Sequence, residues 1–239
     1  MNSPLHIDRL SHSWTFLLNR PDKRNALSSE LVEALITGVE AAHEQNISTL
    51  IFRGIGKNFS AGFDFTGYDT QSEGDLVLRM IRIETLLQLI AGSPALTVAF
   101  AHGRNFGAGV DLFAACKLRY CANDAGFRMP GLKFGLLLGT RRFKDLVGTD
   151  NALSILGSAR GFDAAEGLRI GFVTAIEAEA EWPGMSARAE QTAAGLHPRT
   201  RERLYTVLNT DRSDGDLAEL VRSASLPGLK ERIRQYLAA

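Results

Sequence analysis

The residues best placed for chemistry lie in a glycine-rich stretch, Ala101–Asp111, with the sequence AHGRNFGAGVD. It follows an apolar run typical of a strand and leads into VDLFAAC, an apolar segment with helical spacing. Glycine lets the backbone turn sharply, and a helix that starts after such a turn directs free N–H groups and its positive dipole end to one point. Such a point binds an anion, or the negative charge that develops on an oxygen during a reaction.

A second glycine loop, NFSAGFD at Asn58–Asp64, has the same pattern as NFGAGVD at Asn105–Asp111. Each loop follows a predicted strand, and loops after neighbouring parallel strands leave the sheet at the same edge, where α/β folds bind ligands. Two such loops can each contribute one N–H to a shared oxyanion hole. The pattern alone also allows a purely structural role, because glycine turns after strands are common.

Asp111 is a candidate acid for this predicted hole. It lies three residues after Ala108, about one helical turn, so its carboxylate can face the same pocket. There it would act as an acid or base. The alternative is an aspartate of the first helical turn that favours the helix dipole.

An alternation of strands and helices must position these loops. A β-hairpin is predicted over residues 5–20, and Ser28 is a suitable N-cap for a helix over 29–45. Strands over 49–54, 96–100, 117–122 and 126–128 and a helix over 73–91 follow. From about residue 140 the pattern is helical, with helices over 151–156, 163–170, 186–194, 200–208, 216–224 and 228–237. The order predicts right-handed βαβ crossovers, a mainly parallel sheet and a helical C-terminal part.

The bulk composition indicates an ordinary globular protein: 239 residues, 45% hydrophobic and 23% charged. A net charge of +0 gives no electrostatic reason to expect nucleic acid or an anionic membrane as a partner. The N-terminal segment lacks the apolar core of a secretory signal, which together with Cys116 and Cys121 as buried free thiols predicts a cytoplasmic protein. Dinucleotide, P-loop and zinc motifs are missing from the sequence, so we expect no metal and no resident cofactor.

Four segments, taken in order, resemble the crotonase or enoyl-CoA hydratase/isomerase superfamily. They are LNRPDKRNALS ending at Ser28, NFSAGFD, AHGRNFGAGVDLFAACKLRYCA, and AAEGLRIGFV at Ala164–Val173. The resemblance implies an α/β fold with a crotonase-like spiral of ββα units and a helical C-terminal part. Residues 1–180 would form the core that binds an acyl-CoA, and 181–239 a helical region for assembly into a homotrimer or hexamer. Coenzyme A would enter as part of the substrate.

The resemblance also implies roles for individual residues. The backbone N–H groups of Phe63 and Ala108 would form the oxyanion hole, and Asp111 stands where similar hydratases have a catalytic Glu. The loop Arg20–Ala26 and Ala61 would border the adenine of coenzyme A. Lys23 and Arg24 are candidates for binding its phosphates, or they are merely solvated. The substrate-binding positions are then Lys23, Arg24, Ala26, Ala61, Gly62 and Gly107.

One departure from the family pattern bears on the reaction. The segment FRMPGLKFG has Gly131 where the second hydratase Glu is expected. Hydration needs a base for water and an acid for the α-carbon, whereas one group can move a proton between two carbons. We therefore expect enoyl-CoA hydratase/isomerase-type chemistry with Asp111 as the identifiable acid/base. The alternatives are a thioester hydrolase or decarboxylase on the same fold, or a CoA-ester-binding protein with little catalysis.

Other polar and aromatic residues near the glycine loops have two interpretations each. Arg104, Arg128 and Lys133 could bind a carboxylate on the acyl group, or they are solvated. His102 and Asp64 are predicted to fix the loops rather than to move protons. Aromatic side chains that could form an apolar pocket, or merely pack, are Phe63, Phe65, Tyr68 and Phe106.

Overall fold

A six-stranded sheet carries the predicted loops in the computed structural model of the chain, which describes residues 3–209 and 213–239. Residues 1, 2 and 210–212, which belong to the predicted ranges 1–180 and 181–239, lie outside the described residues. The strands are β1 (Leu5–Arg9), β2 (Ser13–Leu18), β3 (Thr49–Gly54), β4 (Leu96–Ala101), β5 (Arg104–Phe106), β6 (Leu118–Cys121), β7 (Gly126–Arg128), β8 (Gly161–Asp163) and β9 (Ala175–Ile176). The main sheet has the order β1-β2-β3-β4-β6-β9.

The sheet is parallel except at its first pair. β1 and β2 form the predicted antiparallel hairpin, and β3, β4, β6 and β9 follow in parallel. A second, three-stranded sheet has the order β5-β7-β8. Because β3 and β4 are parallel neighbours, the loops that follow them leave the sheet at one edge.

The helices cover the sheet and extend beyond it. They are α1 (Ser29–Glu44), α2 (Glu73–Ala91), α3 (Ala108–Ala114), α4 (Thr140–Val147), α5 (Thr149–Ser158), α6 (Ala164–Arg169), α7 (Trp182–Ala194), α8 (Pro198–Leu208), α9 (Ser213–Ala224) and α10 (Leu229–Ala238). None of the helices in the described ranges has the length and hydropathy needed to cross a membrane.

Local signals explain where the long helices begin. The Ser28 hydroxyl accepts a hydrogen bond from Leu31 N at 3.3 Å, which satisfies one of the free N–H groups of α1. Ser72 and Asp75 form a reciprocal capping box at the start of α2. The apolar stripe of α1 and the C-terminal half of the stripe of α2 are buried in the same core as β2 and β3. These contacts fix the positions of both elements relative to the edge where the glycine loops lie.

The predicted elements are confirmed for the hairpin, for α1 and α2 and for the long strands, and wrong in detail elsewhere. The sequence predicts a turn directly from β4 into α3, but the short strand β5 intervenes. Strands β8 and β9 are likewise missing from the prediction, because two or three residues show no alternation and pair only in the tertiary structure. α7 begins at Trp182 rather than 186, since Pro183 is compatible with a first helical turn.

Both cysteines are buried and free, as predicted. Trp182 of α7 lies against the main sheet, with its ring centroid 5.1 Å from that of Phe100. Helix α7 therefore covers the sheet directly. The division of the chain at residue 180 stays a prediction.

Candidate active site

The two glycine loops meet at the edge of the main sheet and are joined by one buried amide. Asn105 Oδ1 accepts hydrogen bonds from Phe59 N at 3.0 Å and from Ser60 N at 3.1 Å. Phe106 N donates to Ser60 O at 3.2 Å. The Asn105 side chain is 1% exposed, so water does not compete for these bonds. The loop after β3 is thus held against the segment that leads into α3.

Two glycines allow this close approach. Gly62 has a φ of +83°, and a Cβ at this position would overlap Phe106 O and lie 3.2 Å from Ala108 N. A Cβ on Gly109 would lie 2.6 Å from Ser60 O. Any larger residue at these positions would push the loops apart.

The N–H groups of Phe63 and Ala108 have no acceptor within the described residues. Leu27 N donates to Gly62 O at 2.7 Å and Asp64 N donates to Leu27 O at 3.4 Å, so the backbone bonds of this segment lie on either side of Phe63. Ala108 is the first residue of α3, where an N–H has no partner inside the helix. Gly107, with φ 45° and ψ −123°, turns the chain into the helix, and Ala108 itself needs no left-handed conformation.

Phe63 and Ala108 both line a cavity of about 200 Å³. Its wall is mainly apolar and aromatic, with contributions from both loops, α2, the segment 129–140 and α10. The aromatic side chains on it are Phe63, Phe65, Phe106, Phe134 and Tyr236. Asp111 supplies the one carboxyl group of this wall within the described residues, and Gly131 also lies on it. Tyr68, predicted with the aromatic group, packs on Phe65 instead.

The Asp111 carboxyl is 2% exposed, and its Oδ1 has no hydrogen-bond partner among the described residues. Burial raises its pKa well above the usual range; the positive charge of Arg142 opposes this rise and the negative charge of Glu84 adds to it. Gly139, with φ +63°, lies directly against the carboxyl, and a Cβ there would overlap Asp111 Oδ1. A neutral Asp111 can donate a proton, and once ionised it is a strong base for a carboxylate.

The segment predicted to bind coenzyme A lies beside the glycine loop Asn58–Asp64. Arg24 O accepts from Ala61 N at 2.9 Å, and Leu27 bridges to Phe63. Lys23 and Arg24 are exposed, whereas Ala26 is buried. The structure therefore brings the predicted phosphate-binding and adenine-binding positions together at the loop that carries Phe63.

Asp64 and His102 both hold loops in place. Asp64 forms an ion pair with Arg20 at 2.8 Å and accepts a hydrogen bond from Thr66 N at 2.9 Å. Burial raises the pKa of Asp64, but the hydrogen bonds from Thr66 and Arg20 outweigh it, so the net pKa is lowered. His102 Nε2 donates to Gly56 O at 2.8 Å, which ties the residue after β4 to the segment that follows β3.

None of Arg104, Arg128 and Lys133 lies on the cavity wall. All three are exposed, and Arg128 Nε donates to Ala159 O at 2.9 Å. The interpretation that they bind a carboxylate on the acyl group is therefore wrong for this cavity. Solvated or structural roles fit the contacts.

A larger cavity of about 520 Å³ lies elsewhere, between the ends of α2 and α3 and helices α4, α8 and α9. Its charged residues already have partners. Lys117 Nζ donates to Ser93 O at 2.8 Å, Arg119 Nε donates to Phe172 O at 2.7 Å, and Asp216 pairs with Arg141 at 3.0 Å. We therefore place the candidate site in the smaller cavity, where unpartnered donors and an acid converge.

Sequence reasoning missed one charged pair behind this cavity. Glu84 of α2 is 1% exposed and pairs with Arg142 of α4 at 3.2 Å. An acid within the otherwise apolar run of α2 was the available signal. The contribution of Tyr236 and Leu237 to the wall was also missed, because it depends on how α10 packs.

The fold and this site define a crotonase-type α/β protein. The family model for enoyl-CoA hydratase/isomerase matches residues 15–212. A "Probable enoyl-CoA hydratase" of Mycobacterium bovis is 33% identical over 200 residues, which cover 82% of this chain and 79% of that protein. The human mitochondrial Delta(3,5)-Delta(2,4)-dienoyl-CoA isomerase is 32% identical over 178 residues, 66% of this chain and 53% of the isomerase.

A crystal structure from Bordetella parapertussis, described as an enoyl-CoA hydratase/isomerase, superposes with a TM-score of 0.99 and 66% identity over 100% of both chains. The chain belongs to the enoyl-CoA hydratase/isomerase family and is an enzyme of that family.

Proposed function

We propose that this enzyme stabilises the enolate of an acyl-CoA thioester. The backbone N–H groups of Phe63 and Ala108 bind the thioester oxygen as it gains negative charge, and Asp111 moves the proton. The observation that carries the proposal is that one cavity is lined by a buried carboxyl and by two residues whose N–H groups have no acceptor among the described residues. Each donor of such a hole contributes about 3 kcal/mol to lowering the barrier.

The reaction we propose is migration of a double bond. Ionised Asp111 takes a proton from one carbon of the acyl chain, the electron pair moves towards the thioester carbonyl, and the proton returns to another carbon. Gly131, which also lies on the wall, offers no second acid for the activation of water. One group is sufficient for isomerisation, whereas hydration needs two proton transfers at different positions.

The remaining contacts suit an acyl-CoA that has an uncharged acyl group. The apolar and aromatic wall accepts a hydrocarbon chain, since the side-chain charges predicted to bind a carboxylate lie outside it. Exposed Lys23 and Arg24 stand beside the loop of Phe63, where they can bind phosphates of coenzyme A. The coenzyme then enters with the substrate, and no other cofactor takes part.

Assembly into a homotrimer or hexamer is also part of the proposal. It rests on the resemblance and on an apolar face of α8, where Leu204, Val207 and Leu208 are exposed. Light scattering combined with size-exclusion chromatography measures this directly. A monomer at micromolar concentration would contradict it.

The chemistry is tested by incubating the protein with a saturated acyl-CoA in deuterium oxide and following exchange at the α-carbon. We expect exchange in the wild type and a loss of about 10²–10⁴-fold in Asp111→Asn. Asp145→Asn, which alters an acid of α4 outside this cavity, should leave the rate unchanged. Conversion of a β,γ-enoyl-CoA to the conjugated isomer, followed by ultraviolet absorbance, tests the direction of the reaction.

Three results would contradict the proposal. Binding of the thioester without exchange would indicate a CoA-ester-binding protein. Release of free thiol would indicate hydrolysis, and loss of carbon dioxide from a malonyl-type thioester would indicate decarboxylation.

A further inference from the structure

Three charged side chains meet behind the cavity, each from a different helix. Asp111 lies on α3, which packs against both α2 with Glu84 and α4 with Arg142. Glu84 and Asp111 are 1% and 2% exposed. Glu84 Oε1 accepts from Arg142 Nη2 at 3.2 Å and from Gln88 Nε2 at 3.1 Å. Asp111 receives no hydrogen bond from this guanidinium.

The beginning of α4 brings Arg142 near Asp111. Gly139 precedes α4 and lies against the Asp111 carboxyl, and Arg142 is in the first turn of the same helix. Two buried atoms nonetheless have no partner among the described residues: Asp111 Oδ1 and Arg142 Nη1. The guanidinium is therefore directed to Glu84, although a second carboxyl lies close to it.

The charges do not balance when both acids are ionised. One guanidinium neutralises one carboxylate, and a second ionised carboxylate would be a buried charge without a counterion. Burial raises the pKa of both acids. Glu84 keeps the hydrogen bonds that favour its ionised form, so the last proton of the cluster resides on Asp111.

Few other charges face this cluster. Asp216 of α9 acts on Glu84 and raises its pKa, and Asp216 is itself paired with Arg141. Strand β4, packed under α3, contains no titratable side chain, and Arg104 of β5 is exposed. Within the described residues, the charges that act on Asp111 are thus those of Arg142 and Glu84.

We propose that Glu84 is a positioning residue that withholds the Arg142 guanidinium from Asp111 and so sets the pH at which Asp111 gives up its proton. This inference rests on the proposed role of Asp111 in proton transfer. Without Glu84, Arg142 would be free to pair with Asp111, which would keep that carboxyl ionised and make it a weaker base. With Glu84 in place, Asp111 stays neutral to higher pH and, once ionised, is the stronger base for removing a proton from carbon.

The test is Glu84→Gln, which keeps the size of the side chain and its ability to accept a hydrogen bond but removes its charge. The midpoint of the acid limb in the pH profile of α-carbon exchange should fall by about one pH unit. Arg142→Met should move it up by a similar amount, because the stabilising cation is lost. Glu84→Asp, which keeps the charge, should restore the wild-type midpoint.

The matched control is Glu33→Gln on α1. It breaks an exposed ion pair of 2.7 Å between Glu33 and Arg82, which lies on α2 like Glu84. It should leave the midpoint unchanged. A purely structural role of Glu84 would lower the rate and the melting temperature without moving the midpoint, and that result would overturn the inference.

A second readout does not depend on activity. The Asp111 carboxyl is titrated by ¹³C NMR on protein labelled at aspartate, with its signal assigned from Asp111→Asn. Shifts in opposite directions for Glu84→Gln and Arg142→Met support the inference even if no exchange is found, in which case the proposed function alone fails. If the wild type exchanges the α-proton but the titration midpoint of Asp111 is the same in both variants, the inference is refuted and the proposed function stands.

Discussion

Ala108→Pro removes one hydrogen-bond donor of the proposed oxyanion hole at a position where helix α3 tolerates proline. Ala108 is the first residue of α3, where proline fits the backbone and where the N–H has no intrahelical acceptor to lose. The free energy of unfolding should therefore change by less than about 1 kcal/mol. The loss in catalysis should be far larger.

The magnitude follows from the presence of two donors. Loss of one donor typically costs about 3 kcal/mol of transition-state stabilisation, which corresponds to a rate reduction of roughly 100-fold to 1,000-fold. The proline ring would also project from the nitrogen towards the place that the oxygen occupies. Binding of the thioester should weaken less than the reaction slows, because the oxygen carries most of its charge in the transition state.

The assay is α-carbon exchange at saturating acyl-CoA, with the melting temperature measured on the same samples. Ala108→Gly is the control, because it keeps the N–H and the free space around it. It should retain a rate near that of the wild type with a modest loss of stability. A folded Ala108→Pro protein that exchanges within threefold of the wild-type rate would refute the role assigned to this N–H.

Three further outcomes test other parts of the site. Gly131→Glu should raise hydration of a short enoyl-CoA, measured by loss of absorbance of the conjugated thioester; an unchanged rate would mean that the pocket differs beyond this residue. Gly139→Ala should lower the melting temperature and the exchange rate together, because its Cβ would overlap the Asp111 carboxyl at a left-handed φ, a strain of about 1–3 kcal/mol; a fully stable and active variant would contradict the contact. Asp64→Asn should destabilise the protein at pH 7 and much less at pH 3. The pKa of Asp64 is lowered in the folded protein, so its pair with Arg20 contributes fully to stability above the unfolded pKa of about 3.9. This contribution is lost as the pH falls through the folded pKa. Equal destabilisation at both pH values in thermal melts would refute this reasoning.

Those parts of the fold that depend on local signals could be predicted from the sequence. Ser28 and the apolar stripe behind it define the start and face of α1. The glycine pattern around Gly62 and Gly107 indicates two loops at one edge, and both glycines have positive φ in the structure. The oxyanion roles of Phe63 and Ala108 came from the resemblance instead, because the residue types at these positions carry no signal for a backbone donor.

Long-range pairing limited the rest of the prediction. Strand β5 has three residues and exists only because it pairs with β7. Glu84 and Arg142 are separated by 58 residues, so neither shows its partner in the sequence. The same holds for Tyr236, which reaches the cavity through the packing of α10 on the segment around Phe134. Such features follow from the assembled core and not from any local pattern.

The buried amide of Asn105 has a consequence for the motion of the site. Its oxygen accepts from the loop after β3, while its nitrogen donates to His102 O, Gly103 O and Gly126 O at 3.1–3.3 Å. Because this one amide bonds to both loops, we expect a displacement of one loop to be transmitted to the other. We therefore expect the two proposed donors to keep their spacing while an acyl-CoA enters and leaves.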